Sequence, residues 1–185
     1  NSALATNTAV QGNAVTLVSD SSQYLSREST ADLVTGDTDF TLCFWVYFTD
    51  VSSTRQLVTK YSNVTNEYAV LLQGEVVKFY SGASYANVAA NTFGSVSAGV
   101  WYFVSVWFTA STDTIAIAVN GGNADTAVVT PVSNGSVPFQ IGYRVDGGDE
   151  YMNGRVDEVG LWKRVLTSDE RTQLYNSGAG LTYPF

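Results

Sequence analysis

The 185 residues read as an all-β sandwich of two antiparallel sheets with one short C-terminal helix. Short runs rich in Val, Ile, Thr and aromatic residues recur along the whole chain, as pleated, half-buried surfaces require. Between them lie Asn120-Gly121-Gly122, Asn134-Gly135, Asp146-Gly147-Gly148 and Asn153-Gly154, residues that tolerate positive φ in tight turns. Two long runs are apolar on both faces, which suits central strands of stacked sheets.

The strands predicted in chain order are 14–18, 23–26, 40–48, 56–61, 68–73, 76–80, 85–89, 101–109, 114–119, 127–130, 139–143 and 155–162. Gln73-Gly74 reads as the tight turn of a hairpin between 68–73 and 76–80. Within 114–119, Ile115, Ile117 and Val119 take one face, and Thr114, Ala116 and Ala118 the other. In 40–48, Leu42, Phe44, Val46 and Phe48 alternate with Cys43, Trp45 and Tyr47. In 101–109, Tyr102, Val104, Val106 and Phe108 alternate with Trp101, Phe103 and Trp107. Such strands either bury both faces or bury one and present rings on the other. A short turn is expected at 29–33. Thr167-Ser168-Asp169-Glu170 spells a capping box, so a helix starts there and carries Leu174 and Tyr175, with Gly178 as its stop. No linker, repeat or low-complexity tract divides the chain, so residues 1–185 read as one domain.

Composition excludes several function classes. Nine Lys and Arg against seventeen Asp and Glu leave a net charge of −8, which lacks the basic footprint of a nucleic-acid binder. With no histidine, imidazole bases, His-based triads and imidazole metal ligands are absent. The single cysteine, Cys43, rules out an internal disulfide and thiolate zinc sites, and its apolar surroundings predict a buried, inert thiol. The longest apolar run, 42–48, is about a third of the ~20 residues a spanning helix needs, so no membrane insertion is expected. Residues 1–8 lack the basic start and apolar stretch of a signal peptide.

Three segments carry a family likeness. They are Gln23-Tyr24-Leu25 with Asp39-Phe40-Thr41-Leu42-Cys43-Phe44-Trp45-Val46; Val100-Trp101-Tyr102-Phe103-Val104 with the stretch 115–121; and Met152-Asn153-Gly154-Arg155-Val156-Asp157-Glu158-Val159-Gly160-Leu161-Trp162 followed by Leu166-Thr167-Ser168-Asp169-Glu170. In order and spacing the chain resembles laminin G-like domains of the concanavalin A-like lectin and glucanase superfamily, from about residue 15 to residue 178. Phe103 departs from the family pattern, which commonly has His there. The resemblance implies a jelly roll and, in most members, a binding module for glycans, for protein partners or for adhesion. Fold alone does not choose among them.

Candidate sites follow. Hydrolysis of a glycosidic bond needs two facing carboxyls. No E-x-D-x-E or E-x-D-x-x-E string occurs, and the adjacent Asp157 and Glu158 point to opposite faces of a strand, so no enzyme is expected. Without imidazole or a second thiol, hard oxygen ligands remain, which favours calcium. The resemblance implies a structural calcium ion held by Asp20 and Asp157. The alternative is that Asp157 accepts hydrogen bonds from a turn and Asp20 caps a loop. Sugar binding calls for rings that stack and polar groups that fix hydroxyls. Loop and edge positions nominate Tyr61, Tyr80, Tyr85, Tyr143 and Tyr151, with Arg144, Asn63, Asn66 and Asn87 as polar contacts. Asn63-Val64-Thr65 and Asn134-Gly135-Ser136 match the glycosylation triplet, which matters only in a secreted eukaryotic protein. The expectation is a non-catalytic, extracellular binding module for carbohydrate. The alternative is an interaction, decoration or adhesion domain on a virion or bacterial cell surface, within a larger chain or assembly.

Overall fold

The computed structural model describes residues 5–62, 66–82, 86–130 and 134–181. The strands among them begin with β1 (Ala5–Thr8), β2 (Asn13–Leu17), β3 (Leu25–Arg27), β4 (Phe40–Phe48) and β5 (Arg55–Tyr61). Next come β6 (Asn66–Gln73), β7 (Val76–Ser81), β8 (Asn87–Ala89) and β9 (Trp101–Thr109). The last are β10 (Thr114–Val119), β11 (Asp125–Val128), β12 (Phe139–Ile141) and β13 (Gly154–Trp162), followed by the helix α1 (Ser168–Tyr175).

One sheet has seven strands in the order β1-β2-β13-β4-β9-β10-β11 and the other six in the order β3-β12-β5-β6-β7-β8. Every pairing in both is antiparallel. The chain switches repeatedly between the sheets, so each element depends on partners distant in sequence. β4 and β9 form the centre of the larger sheet and stay in register from Phe40↔Phe108 to Tyr47↔Trp101.

Period-two alternation decides what enters the core. Leu42, Phe44, Val46 and Phe48 of β4 and Tyr102, Val104, Val106 and Phe108 of β9 face the smaller sheet. There they meet Leu57, Tyr68, Val70, Leu72, Val77 and Phe79. Each fully buried Phe or Leu contributes about 2 kcal/mol by leaving water. The opposite set, Cys43, Trp45 and Phe103, is buried too, under Leu166 and Leu174. The third layer is α1: Tyr175 stacks on Trp45 at 5.8 Å, and Phe103 lies 5.3 Å from Trp45 and 6.0 Å from Tyr175. Phe103 thus stands where a polar ring would be surrounded by apolar ones. Tyr47 and Trp101 pair at 5.6 Å and remain half-buried, with Trp101 packed against the edge of this layer.

Most predicted strands are present within a few residues. β1 was not predicted. Its sequence, Ala-Thr-Asn-Thr, has no apolar alternation, and it exists as an edge strand because β2 supplies a hydrogen-bonding partner. Residues 29–33 form the expected turn, with Leu33 N–H donating to the Thr30 carbonyl at 2.9 Å. The Thr167 capping box is formed. The helix, however, stops before Gly178, because Asn176 takes the left-handed cap at φ 46°. The pairing of β13 with β4 slips between Asp157↔Trp45 and Gly160↔Cys43, three steps against two, which is a β-bulge. No helix among the described residues is long and apolar enough to cross a membrane.

Candidate functional site

In the six-stranded sheet, Val70 and Leu72 point into the core, so Ala69, Leu71 and Gln73 face away from it. Two bulges in the pairing of β5 with β6 reset the alternation. Gln56 pairs with Leu71 and Val58 with Val70, so Leu57 is the extra residue. Leu57 and Val58 both enter the core, while Gln56 faces outward with Ala69 and Leu71. This outer face carries a cleft of about 200 Å³ lined by Gln56, Tyr61, Gln73, Tyr80, Arg144 and Glu150, with Leu71 and Ala69 in its floor.

The polar groups of the cleft are held in set orientations. Gln56 is 1% exposed, and its Nε2 donates to Glu150 Oε2 at 2.5 Å. The carboxylate can only accept, so it fixes which end of the amide is nitrogen. Gln56 Oε1 is buried with no hydrogen-bond partner, and so is Arg144 Nε. The Arg144 guanidinium lies 5.4 Å from the centre of the Tyr61 ring. Burial raises the Tyr80 phenol above its ordinary value; Arg144 opposes that and Glu150 adds to it.

Arg144 and Glu150 reach the cleft from residues 142–153, the connection between β12 and β13. This connection is pinned along its length. Thr59 Oγ1 donates to the Tyr143 carbonyl at 2.7 Å, and Val145 N–H donates to Gln140 Oε1 at 3.0 Å. Gln56 N–H donates to the Glu150 carbonyl at 2.9 Å, and Arg55 Nη1 to the Tyr151 carbonyl at 3.1 Å. Arg55 and Asn153 both donate to Asp50 Oδ2. Burial raises the Asp50 carboxyl, but the donors Asn153 and Ser52 and the Arg55 charge outweigh it and hold the group below the ordinary range. Gly142 sits at φ +87°, and a Cβ there would collide with Leu17 Cδ1, so the connection leaves β12 along a path open only to glycine.

The residues next to the cleft pair form a ring cluster. Tyr143 and Tyr151 stack at 4.5 Å with 10° between planes, and Tyr24 leans on them at 5.0 and 6.2 Å. Tyr24 is 37% exposed and the other two are half-buried. Burial first, and the Tyr151 phenol second, push the Tyr143 hydroxyl up.

Of the nominated residues, Tyr61, Tyr80 and Arg144 meet in the cleft, and Tyr143 and Tyr151 flank it. Tyr61 is 1% exposed, so it is a floor beneath Arg144 and not the edge ring expected from sequence. Tyr85, Asn63 and the side chain of Asn66 lie outside the described residues, and Asn87 is exposed on β8 at the sheet edge. Sequence reasoning missed Tyr24, Gln56, Gln73 and Glu150. Gln56 and Gln73 could have been found as polar positions out of step with core Leu57 and Leu72. Glu150 has no such signal, since its Gly-rich neighbourhood reads as a solvated turn.

The residues implied for calcium do not fit an ion. Asp157 is 8% exposed; its Oδ2 accepts from Val10 N–H at 3.1 Å and Gln11 N–H at 3.0 Å, and its Oδ1 from Glu158 N–H at 2.9 Å. A cation placed there would face N–H dipoles of its own sign. Gly154, three residues and about 10 Å along the strand from Asp157, pairs with Leu17. Asp20 follows beyond that end, exposed in a short 3-10 turn. Calcium–oxygen bonds of about 2.4 Å do not bridge such a separation. Among the described residues, no three His, Cys, Asp or Glu side chains lie close enough to hold a metal. Asp157 takes the hydrogen-bonding role, tying the segment before β2 to β13.

A larger cavity of about 420 Å³ lies on the other sheet beside α1, lined by Cys43, Trp45, Phe103, Leu161, Trp162 and Leu174 among others. Glu158 lines it as well, as the one charged side chain among mainly apolar neighbours. Burial pushes the Cys43 thiol far up, which leaves it inert.

A laminin G family model, described as the concanavalin A-like lectin/glucanases superfamily, matches residues 19–170. No curated protein sequence matches. The binding domain of Paraclostridial Mosquitocidal Protein 1 superposes with a TM-score of 0.78 at 14% identity, over 96% of this chain and 46% of that one. The chain therefore spans about half the length of that domain. A heptameric SAP-like pentraxin from Limulus polyphemus gives 0.68 at 13% identity, covering 91% and 84% of the two chains. Domain 4 of AbnA, a GH43 extracellular arabinanase from Geobacillus stearothermophilus solved with arabinotriose, gives 0.65 at 17% identity, covering 93% and 81%. At such identities the likeness is one of fold.

Proposed function

The chain belongs to the concanavalin A-like lectin/glucanase superfamily as a laminin G-like domain, and from that premise we propose that it is a non-catalytic carbohydrate-binding module working outside the cell. The observation that carries the reading is the cleft on the outer face of the six-stranded sheet. There a guanidinium, a carboxylate, two glutamine amides and the Tyr80 ring converge on a space of about 200 Å³. Sugar sites are made of this mixture: a ring for the apolar face and a few fixed polar groups for the hydroxyls. A likeness in fold to an arabinanase domain solved with arabinotriose supports the same reading. Glu150 is the sole carboxylate among the described residues of the cleft, whereas glycoside hydrolysis uses two, which favours retention over turnover.

The test is affinity electrophoresis through gels of soluble polysaccharides, with pull-down on insoluble ones. Retardation is expected in at least one gel. Tyr80→Ala and Tyr143→Ala are each expected to weaken it about three- to tenfold, the worth of one aromatic stacking contact. A folded protein that migrates unretarded through the whole panel would point instead to a protein-interaction or decoration domain.

A further inference from the structure

Two of the residues that line the cleft each carry a buried polar atom without a hydrogen-bond partner, and the two atoms are of opposite kind. Gln56 Oε1 is an acceptor and Arg144 Nε–H is a donor. The identity of the Gln56 atom is secured by its neighbour, because Glu150 accepts from Nε2 and so turns Oε1 away. A buried acceptor and a buried donor each cost about 1–3 kcal/mol if left unmade, so a ligand that satisfies both gains what one satisfying a single atom does not. We infer that the cleft selects a neutral sugar ring, one of whose hydroxyls donates to Gln56 Oε1 while accepting from Arg144 Nε–H. This rests on the carbohydrate-binding reading of the same cleft.

Three physical points count against an acidic sugar that brings its carboxylate into the cleft. A carboxylate has no hydrogen to give Gln56 Oε1, so it would satisfy Arg144 and leave the amide oxygen buried and unpaired. Glu150 lines the same cleft, and a second carboxylate within a few ångströms of it is repelled. The whole chain, at −8, adds to that field. A hydroxyl meets none of these objections, because it donates and accepts at one atom. Size narrows the ligand further. The cleft is below the ~300–1,000 Å³ of pockets for drug-sized ligands, so it takes one ring of a chain whose remaining units run out over the sheet.

The experiment is calorimetric titration of the intact chain with two sets of probes. The neutral set is arabinotriose, xylotriose, cellotriose and a galactose trimer; the acidic set is trigalacturonate and sialyllactose. Tightest binding is expected within the neutral set. Gln56→Met removes the acceptor, together with the Nε2 donor to Glu150, at similar side-chain length, and Arg144→Lys keeps the charge but removes Nε–H. Each is expected to lower affinity for that probe about tenfold, the worth of one hydrogen bond, with little change in melting temperature. Because the probe comparison uses the unaltered protein, it stands even if a variant misfolds. Preference for an acidic probe, or unaltered affinity in both variants, would overturn the inference and leave carbohydrate binding standing. Failure to bind either set would remove both.

Discussion

Lys60 and Glu67 are fully buried and face each other across β5 and β6. Two opposite charges out of water are tolerated only when every lone pair and proton is used, and here the network is dense. Lys60 Nζ donates to Glu67 Oε1 and to the Gly135 carbonyl. Glu67 Oε1 also accepts from Gly135 N–H, and Oε2 accepts from both the backbone and the hydroxyl of Thr35. One ion pair thus anchors two separate loops to the sheet that carries the cleft. Glu67→Gln is expected to cost about 3–5 kcal/mol in urea unfolding, since it strands a buried ammonium. Lys60→Met combined with Glu67→Gln should cost clearly less than the two single changes together. Strict additivity would show that the pair does not act as a unit. Neither residue attracts notice in the sequence, where both read as ordinary strand-edge charges. Their importance comes from what the distant Thr35 and Gly135 bring to them.

Among the elements, α1 shows how far local sequence reaches. Its mean apolarity is low, and Leu174 is its only buried side chain, so the helix depends on its cap and on docking. Thr167 Oγ1 accepts from Glu170 N–H at 3.2 Å, Glu170 accepts from Thr167 N–H at 2.8 Å, and Arg164 forks onto the same carboxylate. The hydrogen bonds from Arg164, then that from the Thr167 backbone, hold the Glu170 carboxyl down to about 2. A lowered folded value contributes stability that is whole above the ordinary 4.5 and is lost as pH falls through about 2, so the cap survives mild acid. Thr167→Ala is expected to lower stability by about 1 kcal/mol. In a domain of this size that is a melting shift of about 2–4 °C by scanning calorimetry. No shift would mean that docking onto Trp45 and Phe103 alone sustains the helix. β13 teaches the complementary lesson. Its sequence is a plain strand, yet a bulge after Asp157 lets that side chain turn in and bind the backbone at Val10 and Gln11.

At the scale of the molecule, the Asp157 contact adds to the pairing of β2 with β13 in holding the first strands to the last. Backbone amides occupy the carboxylate, so EDTA is expected to leave the melting temperature unchanged, while added calcium should not raise it. A chelator-sensitive melt would show that an ion is bound despite the amides. Much of the architecture was legible beforehand. Alternation in β4, β9 and β10, turn pairs such as Gln73-Gly74, and the spelled-out cap of α1 are local signals, set by side-chain period and backbone sterics that each segment carries itself. So was the exclusion of imidazole and thiolate chemistry, which follows from counting. Tyr80, Arg144, Tyr143 and Tyr151 were readable as candidates because they are rings and a charge at loop or strand-edge positions, where filling the core does not claim them. Only the tertiary structure decided that Gln56 and Glu150 join them, that Tyr61 lies beneath Arg144, and that Asp157 and Asp20 stay apart. Those outcomes depend on strand register and bulges, where one inserted residue exchanges the faces of a sheet. Register is settled by the summed packing of strands far apart in the chain, which no single segment encodes.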